Sequence, residues 1–145
     1  VVAVGSCGTL AGLAAGAAWL GVGWRLVGAA VSREPEECRA RTTELARACA
    51  ELVGGPPPAP DLVEIVDARG PGYGLPSEEG RRAAELAART EGLFLDPTFT
   101  AKAMGVLLAL VRDGLEGPAV FVHTGGEVEA VAAAGEGGGR DGRGP

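Results

Sequence analysis

The first 24 of the chain's 145 residues carry no charged side chain, and the whole chain has one His, one Lys and one Tyr. A single His excludes a His-rich metal site. Cysteine is nearly as scarce. Cys7, Cys38 and Cys49 form no C-x-x-C and no zinc-ligand spacing, and an odd count without a signal peptide points to reduced thiols and a cytoplasmic setting. Aromatics make up 4% of residues against 46% hydrophobic overall, so the core must be built from Ala, Leu and Val. Basic excess is absent too. The net charge of -6 argues against a nucleic-acid partner. The turn Gly5-Ser6-Cys7-Gly8-Thr9 fits neither G-x-G-x-x-G nor a P-loop ending in GK[ST], which removes the dinucleotide fingerprint and the P-loop there. The nucleophile elbow G-x-S-x-G also fails, because Val4 stands where its first Gly belongs.

What is present begins with the charge-free stretch itself. Its length would span a bilayer, and Gly8, Gly12 and Gly16 repeat at the small-xxx-small spacing of packed membrane helices. Most of its apolar residues are Ala and Gly, which gain little from lipid, and no basic segment precedes it as a signal peptide requires. A soluble reading accounts for more. Val1, Val2 and Val4 form a β-branched strand, Gly5-Ser6-Cys7-Gly8-Thr9 a turn, and Leu10, Leu13, Ala14, Ala17 and Leu20 a helical stripe. Gly21 and Gly23 stop the helix, and residues 25–31 read as a second strand. Strand, Gly-rich turn, helix and strand make one βαβ unit, with Gly12 and Gly16 letting the helix lie close on the sheet. No membrane span is therefore expected.

Alternation continues along the chain. A helix opens near Pro35 with Cys38, Leu45, Cys49 and Leu52 on one face, and Gly54-Gly55-Pro56-Pro57-Pro58 ends it. Residues 62–66 read as a strand, 69–80 as a breaker-rich loop with the lone Tyr73, and Ser77 opens a helix to about Thr90 with Ala83, Leu86 and Ala87 inward. Residues 93–95 read as a short strand. Asp96-Pro97 reads as an N-cap followed by Pro at the first helical position, and Met104, Leu107, Leu108 and Val111 as the buried stripe of the helix that follows. Residues 119–123 read as a last strand, and 127–145 as a largely disordered tail rich in Gly. The class is α/β with a mostly parallel sheet.

Backbone amides in a Gly-rich turn at a helix N-terminus can receive a phosphate, and Ser6 and Thr9 add hydroxyls. An ordinary βα turn would read the same. His123 at a strand end is read as structural, and Asp96 as a cap, which leaves a Ser6–His123–Asp96 triad without support. Thr124 is better placed, since ligands of open α/β sheets bind beyond the carboxyl ends of strands. Phe99 and Tyr73 read as packing residues, and Lys102 as lying on the exposed or capping side of its helix.

The ordered set VGSCGTLAGL, GVGWRLVGAAVSR, GPGYGLPSEEG, RTEGLFLDPTFTAKAM and FVHTGG resembles the C-terminal half of the D-cysteine desulfhydrase and 1-aminocyclopropane-1-carboxylate deaminase family. These are tryptophan-synthase-β-like (fold type II) pyridoxal phosphate enzymes. The resemblance covers residues 1 to about 126 and implies part of the large domain. It implies that Gly5, Ser6, Cys7, Gly8 and Thr9 hold the cofactor phosphate and that Thr124 hydrogen-bonds the pyridine nitrogen. Tyr73, Phe99 and Thr100 take substrate-side positions. Deaminases usually carry Glu at the position of Thr100 and Leu at that of Thr124, so Thr at both resembles the desulfhydrase. That activity splits D-cysteine into pyruvate, ammonia and sulfide by α,β-elimination, in a cytoplasmic homodimer acting on a small amino acid. Three departures stand out. Cys7 replaces a usual Gly and would crowd the phosphate or resist a positive φ; Phe99 replaces a usual Tyr; and the Schiff-base Lys lies upstream of the matched region, so the chain reads as an inactive fragment.

Overall fold

A computed structural model describes residues 1–126. Three parallel strands form its sheet: β1 (Val2–Val4), β2 (Leu26–Ala30) and β3 (Val63–Asp67), in that spatial order. Helix α1 (Gly8–Leu20) connects β1 to β2, and α2 (Pro35–Val53) connects β2 to β3. Helices α3 (Glu78–Glu91) and α4 (Thr100–Arg112) follow. Every residue of β2 is buried, as a strand covered on both faces requires. On one face Val4, Leu10, Ala14, Leu26, Cys38, Ala46 and Ile65 share a core with α1 and α2. On the other, Val27 and Ala29 meet Ala103 and Val106 of α4, with α3 packed outside. The result is a helix–sheet–helix sandwich.

Close packing of α1 on the sheet depends on a glycine, but on the strand side. A methyl group at Gly28 would stand 2.5 Å from Leu10 Cδ2, 2.7 Å from Val4 Cγ2 and 2.9 Å from Ile65 Cδ1. Gly12 and Gly16, expected to make this approach, have nothing within 4 Å of a built methyl and turn away from the sheet. The helix instead buries Leu10, Ala11, Ala14, Ala15 and Ala17. The other helices follow the same rule. α2 buries Cys38, Thr42, Ala46 and Ala50, α3 buries Gly80, Ala83 and Ala87, and α4 buries Thr100 to Ala103 with Val106. Small side chains bring helix axes nearer, so Leu20, Leu52, Leu86 and Val111 of the expected stripes remain exposed.

Two expected strands do not form as such. Residues 93–95 finish the C-terminal cap of α3, where Leu93 N donates to Ala87 O. Residues 119–123 run beside β1 and make one isolated parallel bridge, Val2 to Val122, with Val122 N donating to Val1 O at 2.9 Å. No helix among the described residues is long and apolar enough to cross a membrane. The tail expected from residue 127 lies outside the described residues.

Gly28→Ala is expected to cost about 1–3 kcal/mol through overpacking, measured by chemical denaturation. A change below about 0.5 kcal/mol would mean that α1 does not rest on this strand as described.

Candidate active site

Four parallel segments end on the same side: β1 runs into Gly5, β2 toward Ser32, β3 toward Arg69 and the loop bearing Tyr73, and the segment bridged to β1 into Thr124. This is where open α/β sheets bind ligands.

At the end of β1 the chain turns through Cys7, with φ 72° and ψ −6°, into α1. Among the described residues Cys7 alone is a non-glycine with positive φ. No side chain caps the helix and its first turn has no acidic residue. Ala11 N is the first amide to close back, onto Cys7 O. The amides of Gly8, Thr9 and Leu10 precede the intrahelical ladder; Gly8 N has only a long 3.5 Å approach to Ser6 Oγ. Ser6 and Thr9 are exposed beside them, and Arg41 Nε donates to Ser6 O at 3.2 Å from α2. Donors without acceptors at a helix N-terminus fit a phosphate.

The Cys7 side chain points away from that surface. It is 2% exposed, with Sγ 3.9 Å from Gly5 O and packed in the core shared with Cys38. The expected positive-φ strain is present, whereas the thiol does not occupy the donor face. Burial first, and the Cys7 thiol second, push the Cys38 thiol up to about 11, so it adds no negative charge under the turn at neutral pH.

Next to this turn, beyond the segment bridged to β1, lies a cavity of about 310 Å³ lined by Asp96, Thr98, Phe99, Thr124, Gly125 and Gly126. Asp96 organises it. Its Oδ1 accepts from Thr98 N (3.0 Å) and Phe99 N (2.7 Å); its Oδ2 accepts from Thr100 N (2.9 Å) and Thr100 Oγ1 (2.6 Å). Thr100 Oγ1 in turn accepts from Asp96 N at 2.9 Å. The expected N-cap at Asp96 with Pro97 as first helical residue is not what forms: residues 97–99 make a turn, α4 starts at Thr100 with Phe99 as its N-cap, and Asp96 reaches forward to the amide of Thr100. Gly126 (φ 98°) backs onto this carboxylate: a methyl there would stand 2.6 Å from Oδ2. His123 is structural: Nδ1 accepts from Gly125 N at 3.2 Å, which leaves Nε2 to carry the proton toward Phe94 O at 3.1 Å. It ties the 124–126 turn to the chain ahead of Asp96.

Phe99 joins the two halves. Its Cε1 lies 3.0 Å from a methyl built on Gly5, with Ser32 Oγ 4.0 Å from the same point. Its ring also meets Tyr73 edge-on, centroids 6.1 Å apart. The structure therefore brings together Gly5, Phe99, Tyr73 and the Thr124 cavity. Thr100 is not at the surface of the crevice; it is 1% exposed and its hydroxyl is committed to Asp96. Sequence reasoning passed over Ser32, Thr98, Gly125 and Gly126. Strand-end position was the available signal for Ser32.

Lys102 differs most from expectation. It is 2% exposed, and its Nζ donates to Arg69 O at 2.7 Å and Gly72 O at 2.8 Å. Desolvation lowers its pKa.

The site and fold together define a cofactor-binding α/β domain, and comparison with known proteins agrees. Residues 1–125 match the family described as "Pyridoxal-phosphate dependent enzyme", and the chain belongs to that family. It is 44% identical to a D-cysteine desulfhydrase of Yersinia enterocolitica and 42% identical to one of Yersinia pestis, each over 87% of this chain and 39% of the relative. A crystal structure described as that of an ACC deaminase homologue superposes with a TM-score of 0.83 at 35% identity, covering 94% of this chain and 42% of that one. The fold is accordingly part of the large domain of a fold type II pyridoxal phosphate enzyme. The chain spans about two fifths of the length of these relatives.

Two outcomes follow from this geometry. Cys7→Ala keeps the left-handed strain and loses the buried thiol, whereas Cys7→Gly loses both. The Ala variant is expected to be the less stable by about 1 kcal/mol in denaturant titration, and equal stabilities would mean that the turn carries no strain. The second concerns pH. Arg69 hydrogen-bonds Asp67 and Glu34 at the base of the Tyr73 loop, and this guanidinium holds the Asp67 carboxyl below the usual carboxylate range. A depressed folded pKa gives a contribution that is full above the unfolded value of about 3.9 and is lost as pH falls through the folded one. Acidification below that range should therefore lower the protection of amides 69–76 relative to their intrinsic exchange rates at each pH, and Asp67→Asn should remove this pH dependence.

Proposed function

We propose that this chain supplies the phosphate and ring ends of the cofactor site in a D-cysteine desulfhydrase-like lyase. The carrying observation is that Phe99 touches Gly5 on one side and lines the Thr124 cavity on the other, so the phosphate turn and the ring pocket adjoin. In this reading the amides after Cys7, with Ser6 and Thr9, bind the phosphate. Thr124 places a hydroxyl at the pyridine nitrogen. A hydroxyl there favours the unprotonated ring, where a carboxylate would favour the protonated one. Pyridoxal phosphate, when bound, supplies the electron sink for carbon acidity beside an amino group. Expulsion of a thiolate from the β-carbon needs less of that sink than opening a cyclopropane. Thr124 therefore favours D-cysteine, with water taken up overall to give pyruvate, ammonia and sulfide.

The side chains divide the remaining work. Tyr73 is the chain's single phenol, 64% exposed beside Phe99, and faces the substrate in this reading. Phe99 can exclude water but cannot donate a proton. Thr100 acts through Asp96, fixing the carboxylate that supports Gly126. The single Lys of the chain is Lys102, two of whose three N–H donors go to backbone carbonyls inside the domain, so in this reading the amine that anchors the cofactor is not among these 145 residues. The same proposal includes a cytoplasmic, homodimeric parent enzyme without a nucleic-acid partner. Free cysteines, the net charge of -6 and exposed Trp19, Leu20 and Trp24 support it. The division at residue 126 belongs to it as well, the family match to residue 125 lending support.

The chain alone is expected to bind pyridoxal phosphate weakly, in competition with inorganic phosphate, and to release no sulfide from D-cysteine above a cofactor-only control. Joined behind the upstream portion of the Yersinia enterocolitica relative, it should release sulfide from D-cysteine and no ammonia from 1-aminocyclopropane-1-carboxylate. Ammonia without sulfide would replace this reading with the deaminase; a folded, cofactor-loaded fusion with neither activity would refute both.

A further inference from the structure

We propose that Lys102 is a positioning residue that acts through Tyr73, setting the phenol against Phe99 from inside the domain. The inference deepens the reading of Tyr73 as substrate-facing and rests on it for its functional meaning.

The loop from Arg69 to Pro76 contains Gly70, Gly72 and Gly74, all at positive φ, and Gly72 and Leu75 make only turn-type backbone bonds at 3.3 Å. Such a segment has no regular ladder to hold a side chain still. Two side-chain anchors hold it. Arg69 fixes its base to Asp67 and Glu34 at the surface, while Lys102 reaches its interior. The Nζ bonds to Arg69 O and Gly72 O bracket the two residues between them and end directly before Tyr73.

The reach is possible because α3 and α4 cross at glycines. A methyl on Gly80 would lie 3.3 Å from Lys102 N, and one on Gly105 3.3 Å from the carbonyl carbon of Glu79. Close helix axes carry Lys102 under the start of α3 to the loop that precedes it. The first turn of α4 therefore controls both rings: Phe99 precedes it by one residue, and Lys102 lies within it. An ammonium buried to 2% exposure is costly unless its donors are matched, and the two carbonyl oxygens match two of its three donors without neutralising the charge. Simple core filling would be served better by Met or Leu, which explains neither carbonyl contact.

Both residues are unique in the sequence, which makes the test specific. Incorporating 3-fluorotyrosine gives one 19F resonance, from position 73. Lys102→Met is expected to move that resonance toward its position in the denatured chain and to raise amide exchange across residues 70–75 by about tenfold or more, with the Trp19 and Trp24 indole signals unchanged. Lys102→Arg, which retains donors, should restore much of the shift. A folded Met variant with wild-type resonance and exchange would overturn the proposal. Should the Met variant fail to fold, the wild type decides: acetylation of Lys102 in the folded chain is expected to be at least about tenfold slower than in urea, and equal rates would overturn it. Neither readout involves substrate. Failure of the substrate-facing reading would appear instead as unaltered D-cysteine turnover on Tyr73→Phe in the fusion.

Discussion

The contact of Leu10 with the bare backbone of Gly28 sets the position of everything at the carboxyl edge of the sheet. β1 has three residues and α1 follows after a three-residue turn, so little chain is available to absorb a displacement. If α1 stood a methyl's width off β2, the amides of Gly8, Thr9 and Leu10 would tilt from the crevice. The same seating keeps Cys7 in a conformation that an isolated L-residue avoids. Its strain of about 1–2 kcal/mol is sustained because strand and helix on either side are fixed by buried contacts, and because its thiol finds a place in the core rather than in solvent.

A second constraint closes the far side. Asp96 is 2% exposed and takes donors on both oxygens from Thr98, Phe99 and Thr100. A carboxylate in that setting is tolerable only while all of those donors remain aligned. Its alignment fixes the direction in which Phe99 leaves the backbone, and its bulk requires a glycine at 126. The turn after β1 and the Thr124 cavity, far apart in sequence, are therefore registered by one aromatic ring whose angle is set by one carboxylate. That is a division of labour typical of a preorganised site: few groups face the ligand, and buried polar groups behind them decide their orientation.

Much of this was legible in the sequence because it is local. The βαβ unit, the stops at Gly21 and Gly54 and the Ser77 cap each follow from neighbouring residues. Family resemblance added the roles proposed for the turn after β1 and for Thr124. The inward faces of the helices were legible only in part: Leu10, Ala14 and Ala17 of α1 and Ala83 and Ala87 of α3 lie inward as expected, but a stripe of Leu and a stripe of Ala differ in which one lies against the sheet only through interaxial distance. Cys38, Thr42, Ala46 and Ala50 were the buried set of α2, and Leu52 was not. The strand expected at 93–95 failed because a helix cap claimed its first residue. Gly28 was read as an ordinary strand residue, for its role depends on Leu10, Val4 and Ile65 meeting at one point. Lys102 was missed for the same reason: its partners, Arg69 and Gly72, are more than 29 residues away.

Lys102 also bears on why a primary amine in the right family and near the right loop does not serve the cofactor. A nucleophilic amine needs a free lone pair and a path to the carbonyl it attacks. Here desolvation does lower the pKa, which by itself would favour the neutral nucleophile. Geometry outweighs that shift. The side chain is directed into the domain, and its protons bind backbone oxygens on the inner side of the Tyr73 loop. Swinging Nζ outward would break both bonds to the loop that carries Tyr73. The residue is thus suited to holding the site together and unsuited to reacting in it. The same burial that makes its amine easier to deprotonate keeps that amine from any ligand.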